Sequence, residues 1–155
     1  MVGHYYNAKR YDARRSIGYL VRHSSAIITC KIEALFAEKD LTFIQYVILM
    51  NLRDELAVTC ADLCGVMRYD SGAITRVIDQ LEKRKLLKRQ RSTTDRRVVK
   101  LAITPHGKKV VESLIPVVVQ QYNEWFTDFS KEETDTLIML LTKFNTKISD
   151  KKPEK

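Results

Sequence analysis

The apolar residues between Thr59 and Pro105 step first at a helical period, then at a strand period, and return to helix at a Thr-Pro pair. That switch, more than any other feature, limits what the chain can fold into. Thr59-x-x-Asp62 opens a short helix, read as Ala61 to Met67. Asp70 or Tyr69 then caps a longer helix from Ser71 to about Lys85, with Ile74, Val77, Ile78 and Leu81 on its inward side. Only a few residues separate the two helices. The runs 86–91 and 98–103 read as strands, and Ser92 to Arg97 between them holds no apolar residue, so the pair forms a hairpin. A helix-turn-helix followed at once by a β-hairpin is the winged-helix pattern.

The flanks are helical. Ile17, Leu20, Val21, Ser24, Ile27, Ile28, Lys31, Ala34 and Leu35 mark one face of a helix from about Asp12 to Lys39. A long amphipathic helix at a terminus packs on a partner subunit or folds back on its own core. Thr42-x-x-Gln45 is a capping box, with Leu41 and Tyr46 placed as a hydrophobic staple, and its helix runs to about Asp54. Thr104-Pro105 starts a helix toward Trp125, which Pro116 should kink or divide. Ser130-x-x-Glu133 caps a last helix with the stripe Leu137, Leu140, Leu141, Phe144 and Ile148. The fold class is therefore mainly α (α+β): a winged helix-turn-helix with long N- and C-terminal helices forming a dimerisation region. One chain, 1–155, would hold a winged-helix part over 41–104 and helical dimerisation parts over 12–40 and 105–149. Residues 150–155 read as a disordered tail.

Charge says what the fold meets. The chain carries a net charge of +8, an excess that suits nucleic acid or an anionic membrane surface. From Met67 to Lys109 there are 13 Lys and Arg against 4 Asp and Glu, a local excess of +9 that leaves the rest of the chain at −1. A near-neutral scaffold with one basic segment favours duplex DNA over lipid. The recognition helix would enter the major groove, where short polar side chains and Arg read base edges. The hairpin would reach the minor groove. The candidate DNA contacts are Arg68, Ser71, Gly72, Thr75, Arg76, Lys88, Arg91, Asp95, Arg96 and Arg97. Lys88, Arg89, Arg91 and Lys100 alternate along strands, so about half should face phosphate. Gly72 fits either close approach of backbone to DNA or mere proximity to the helix cap.

No stretch of 18 apolar residues exists, so nothing is expected to span a membrane. The N-terminus shows no secretory h-region, and the three cysteines, Cys30, Cys60 and Cys64, form an odd set that fits a reducing cytoplasm. Cys60 and Cys64, four apart, share a helix face, but the spacing is not the usual zinc one, and buried free thiols are the ordinary reading. No Gly-rich phosphate loop, HExxH or nucleophile elbow is present, so no enzyme and no cofactor is expected.

The run from Asp70 to Arg89 (DSGAITRVIDQLEKRKLLKR), then Asp95-Arg96-Arg97, then Leu101 to Gly107 (LAITPHG), resembles the MarR family of bacterial transcription regulators. The resemblance covers roughly Leu41 to Val110. It implies a homodimer whose first and last helices form the base, bound to a pseudo-palindromic operator near a promoter. It further implies that Asp95 orients Arg97 by an ion pair so that the wing arginine enters the minor groove, a role open also to Arg96. Repression is the implied sign, with release by a small aromatic or anionic effector, a phenol or carboxylate, or by cysteine oxidation. Family members that sense peroxide carry their cysteine early in the first helix, whereas Cys30 falls late. For an effector, Arg22 or His23 would pair a carboxylate, and Tyr46 and Met50 would line the same pocket; packing at the dimer base or core explains all four as well. Lys85 stands where the family usually has Gly, so that helix end is expected to close differently. The other readings are an effector-independent winged-helix nucleic-acid-binding protein, and a basic helical protein-interaction module that binds an acidic partner or an anionic membrane.

Overall fold

The computed structural model describes residues 5–91 and 98–149, with the side chain of Glu38 left aside. Six helices and one antiparallel hairpin follow in the order α1 (Ile17–Phe36), α2 (Phe43–Arg53), α3 (Cys60–Met67), α4 (Ser71–Lys83), β1 (Leu87–Arg91), β2 (Val99–Ile103), α5 (Pro105–Trp125) and α6 (Lys131–Ser149). This is the winged helix-turn-helix expected from the change of period. The chain divides into two compact units, Met1–Leu114 and Ile115–Lys155.

In the first unit, local signals set the helix starts. Thr42 Oγ1 accepts from the Gln45 amide and Gln45 Oε1 accepts from the Thr42 amide, a complete capping box for α2. Thr59 and Asp62 do the same for α3, where Asp62 also accepts from the Val58 amide. The Asp70 carboxylate accepts from Ala73 and caps α4. Three amide-to-oxygen bonds onto Asp62 and Asp70 thus fix the starts of both α3 and α4.

The first helix is shorter than its periodicity suggests. Asp12 caps only a one-turn 3-10 helix, Ala13–Arg15. Ser16 then donates to the Ala13 carbonyl and accepts from the Tyr19 amide, so the α-helix starts afresh at Ile17. Another 3-10 turn, Ala37–Lys39, ends at Asp40 in the left-handed region. The core takes Ile32 and Phe36 from α1 rather than the expected stripe. Ile17, Leu20, Val21 and Ile27 stay 38–50% exposed. Around Ile32 and Phe36 pack Ile48, Leu49, Leu63, Ile74, Ile78, Leu81, Leu86, Leu87, Val111 and Leu114, all at most 1% exposed.

The end of α4 closes in the ordinary way, contrary to the expectation drawn from Lys85. Lys85 adopts φ 57°, the left-handed cap that Gly would take. The Leu86 amide donates to the Leu81 carbonyl and the Lys85 amide to Glu82, so the last carbonyls are satisfied. The backbone bonds override the cost of a Cβ there.

The hairpin pairs Leu87 with Ile103, Arg89 with Leu101 and Arg91 with Val99. The Leu101 amide also donates to the Val58 carbonyl at 2.7 Å, seating the residues before α3 beside β2. Thr104 caps α5, its Oγ1 accepting from Gly107 and donating to the Lys85 carbonyl. Gly107 is required here: a Cβ on it would lie 2.0 Å from the Leu86 carbonyl oxygen, which itself accepts from the Thr104 amide.

Pro116 does not divide α5, which runs unbroken from Pro105 to Trp125. Proline's fixed φ is helical, and it removes one hydrogen bond, that to Glu112. Both Glu112 and Pro116 are exposed, so water can satisfy the freed carbonyl. In the second unit, Tyr122 packs edge-on against Trp125 and Phe126 against Phe129. The Ser130–Glu133 capping box starts α6. No residue of α6 is buried: Leu137, Ile138, Met139, Leu140, Leu141 and Ile148 are 38–59% exposed.

Candidate nucleic-acid interface

Helix α4 has two sides of opposite character. Ile74, Ile78 and Leu81 are sealed in the core, while Ser71, Gly72, Thr75, Arg76, Asp79 and Gln80 are exposed. Arg68 enters the same surface from the preceding turn. It caps α3 at φ 55°, and with Tyr69 and Asp70 makes the three-residue connection to α4. Five of the candidate residues, Arg68, Ser71, Gly72, Thr75 and Arg76, therefore share one exposed surface at the start of α4.

Two of them have local partners. Thr75 donates its hydroxyl to the Ser71 carbonyl at 2.7 Å and lies 3.7 Å from Cys60 Sγ. Its proton is committed to its own helix, leaving an acceptor lone pair and a methyl for any outside contact. A Cβ on Gly72 would sit 3.0 Å from the Asp70 Oδ2 that caps the helix. The cap thus favours glycine there, since a Cβ would press on the capping carboxylate.

The wing separates residues that the sequence grouped. Residues directly opposite share a face, so Leu87, Arg89 and Arg91 lie with Leu101 and Val99 on one side, and Lys88 with Ala102 on the other. Lys88 and Arg91 are both exposed but face oppositely. Asp95, Arg96 and Arg97 lie outside the described residues.

Arg89 has a use that its charge alone did not reveal. Its guanidinium bonds Asp79 at 2.6 Å and also meets the Glu82 carboxylate, whose other oxygen accepts from the Arg89 amide. The Asp79 contact, followed by Glu82, raises the guanidinium pKa further above its already high value. Two acids of α4 thereby tie β1 to the recognition helix, with their charge paired to Arg89. A signal was present in the sequence: Asp79 and Glu82 are the two acids on an otherwise basic stretch, three apart on one helix face.

Arg84 joins the other end of α4 to α2. It lies 3.4 Å from Gln45 Oε1 and 3.5 Å from Asp40, while Gln45 Nε2 donates to Gln80 at 3.0 Å. The 6%-exposed Gln45 thus serves both the α2 cap and the position of α4.

The effector candidates are dispersed. Arg22 and His23 are exposed on α1, with His23 stacked on Tyr19 at 5.6 Å. Tyr46 is buried edge-on against Phe36, and Met50 is half-buried on α2. An open cleft of about 370 Å³ in this unit is lined instead by Glu33, Ala37, Asp40, Leu41, Thr42, Gln45 and Arg84. Among the described residues there is no group of three metal-binding side chains, and no helix is long and apolar enough to cross a membrane.

Comparison with known proteins agrees with this architecture. The MarR family model matches residues 41–99. The HTH-type transcriptional regulator SarZ of Staphylococcus epidermidis is 30% identical over 141 residues, covering 91% of this chain and 94% of that protein. BpsR of Bordetella bronchiseptica superposes with a TM-score of 0.76 at 28% identity, covering 92% of this chain and 99% of that one. A cysteine-to-serine mutant of Escherichia coli MarR, complexed with operator DNA, gives 0.75 at 25% identity, covering 86% and 99%. A winged helix built on these caps, with an exposed basic face and a full-length regulator as relative, makes the chain a member of the MarR family: a DNA-binding transcription regulator and not an enzyme.

Proposed function

We propose that the protein is a homodimeric repressor that binds a pseudo-palindromic operator and is released by a small aromatic or anionic ligand. The observation that carries the DNA half is the exposed, polar and basic start of α4 set on a buried apolar back. In this reading Ser71, Thr75 and Arg76 meet base edges, while Arg68 and Gly72 approach phosphate. Lys88 and Arg91 contact the backbone from opposite faces of the wing. Arg97, held by Asp95, or Arg96 in its place, enters the minor groove. Operator binding is what the E. coli MarR complex records for that protein, and Staphylococcus aureus MepR is likewise seen bound to DNA.

The dimer half rests on apolar surface. Five large residues of α1 and six of α6 stand exposed, along with Val119 and Phe129. Apolar surface of that extent marks an interface rather than a monomer's exterior. In this reading 41–104 reads DNA, 12–40 with 105–149 dimerise, and the protein is cytoplasmic. Ligand release is supported by analogy with BpsR, whose DNA binding is regulated by 6-hydroxynicotinic acid. In this reading Arg22 or His23, both exposed, pairs such an anion, and Tyr46 and Met50 of α2 line its pocket.

The test is to select fragments of the protein's own genome with the purified chain and footprint them. A protected palindrome with half-sites about one helical turn apart supports the reading. Protection without two-fold symmetry contradicts the dimeric operator.

A further inference from the structure

Cys60 and Cys64 are not absorbed by the DNA interface, yet one of them touches it. They stand one turn apart on α3, both half-buried and both free thiols, whereas Cys30 is exposed on α1. Cys60 Sγ lies 3.7 Å from Thr75 Oγ1 on the recognition helix. Residues four apart on a helix hold their Cβ atoms roughly 5–6 Å apart. A disulfide demands about 3.5–4.5 Å between Cβ atoms, so joining these two sulfurs directly would unwind α3. An ion held between two thiolates at about 2.3 Å each spans up to about 4.6 Å of sulfur–sulfur distance, which the intact helix can supply. Among the described residues no third metal-binding side chain completes a group with them, which excludes a tetrahedral zinc site built from those residues. Two sulfur ligands and nothing else suit a soft ion that accepts linear coordination.

From this geometry we infer that Cys60 and Cys64 form a two-thiolate site for a soft monovalent ion, Cu(I) by chemical class, placed to weaken DNA binding. Loading is a ligand exchange with no change of oxidation state. Two thiols lose two protons, two Cu–S bonds form, and the bound unit carries one net negative charge. Filling the site places this anionic unit beside Thr75, and draws Cys60 Sγ away from the Thr75 hydroxyl. Both changes act on the surface that meets phosphate. The effect on DNA rests on the interface assigned above; the ion stoichiometry does not, so the two fail separately.

The experiment titrates the full-length protein with Cu(I) under anaerobic conditions against a chromogenic Cu(I) chelator. Affinity for a selected duplex is followed in parallel by fluorescence anisotropy. The expected result is one Cu(I) per chain, a loss of at least about tenfold in Cu(I) affinity in both C60S and C64S as expected for a removed ligand, and no change in C30S. Loading should weaken duplex binding by the parent several-fold and leave C64S unaffected. If C60S does not fold, C64S with C30S carries the comparison alone. Tight binding retained in C64S, or lost in C30S, overturns the site. One ion per chain with duplex affinity unchanged overturns the regulatory half. An intrachain Cys60–Cys64 disulfide formed by mild oxidation with α3 still helical overturns the spacing argument.

Discussion

At the scale of single residues, two backbone positions are held against their side chains. Lys85 sits at φ 57° where its Cβ is unfavourable. Lys85→Gly should stabilise the chain by about 1 kcal/mol, less the added freedom of the unfolded state, as read by urea denaturation. A destabilised variant would show that the lysine side chain contributes something the cap geometry hides. Gly107 is the reverse case, since any Cβ meets the Leu86 carbonyl at 2.0 Å. Gly107→Ala should cost about 1–3 kcal/mol or more, because α5 must slide off the wing base. At Thr75, whose proton stays on the Ser71 carbonyl, Thr75→Val keeps the methyl and removes the acceptor. Specific binding should fall by about 1–3 kcal/mol while random-sequence binding stays level if the hydroxyl reads a base; equal loss on both would contradict that role. Lys85 was visible beforehand only as a departure from glycine, and Thr75 only as a polar residue on the outward face. The tight approach at Gly107 depends on where β1 begins relative to α5, which no local pattern encodes.

At the scale of elements, caps and periods were legible and tertiary pairings were not. Thr42, Thr59, Asp70, Thr104 and Ser130 each announce a helix start because the capping bond spans only two or three residues. Pro116 does not divide α5, since one missing hydrogen bond on an exposed face does not outweigh the turns on either side. The first helix misled. Its strongest stripe is left exposed, and the core instead takes Ile32 and Phe36. The Arg89 clamp joins residues seven and ten apart across the end of a helix, where neither a helical nor a strand period applies. Arg89→Gln should free β1 from α4, speeding backbone amide exchange at 88–90 while the core melts nearly as before. Unchanged exchange would show that the strand ladder alone fixes the wing. Capping also predicts a pH dependence. The Thr59 hydroxyl contact first, then the Val58 and Thr59 amides, lower the Asp62 pKa. A carboxyl with a lowered folded-state pKa contributes stability that is present above its unfolded value, about 3.9, and lost as pH falls through the lower folded value. Asp62→Asn should flatten that acid limb; an identical acid profile would contradict the cap's contribution.

At the scale of the whole molecule, the division of charge and of apolar surface assigns separate tasks. The basic excess of 67–109 lies on α4, the wing and their flanks, and eleven of the exposed large apolar residues lie on α1 and α6. Leu140→Glu should lower the melting temperature in a concentration-dependent way and shift the chain toward monomer by sedimentation. A monomeric parent would remove the dimer from the account. Sequence alone located the basic segment because charge is counted without a fold. It could not tell an inward stripe from an outward one, since a core and a partner bury the same residues.

The central claim is that the α4 surface and the wing read duplex DNA by sequence. The most direct measurement is equilibrium binding to a selected duplex and to its scrambled counterpart at about 50 and 200 mM salt. The account predicts steep weakening with salt for both duplexes and a preference for the selected one of at least about a thousandfold. Equal affinity for the two at every salt concentration would contradict it.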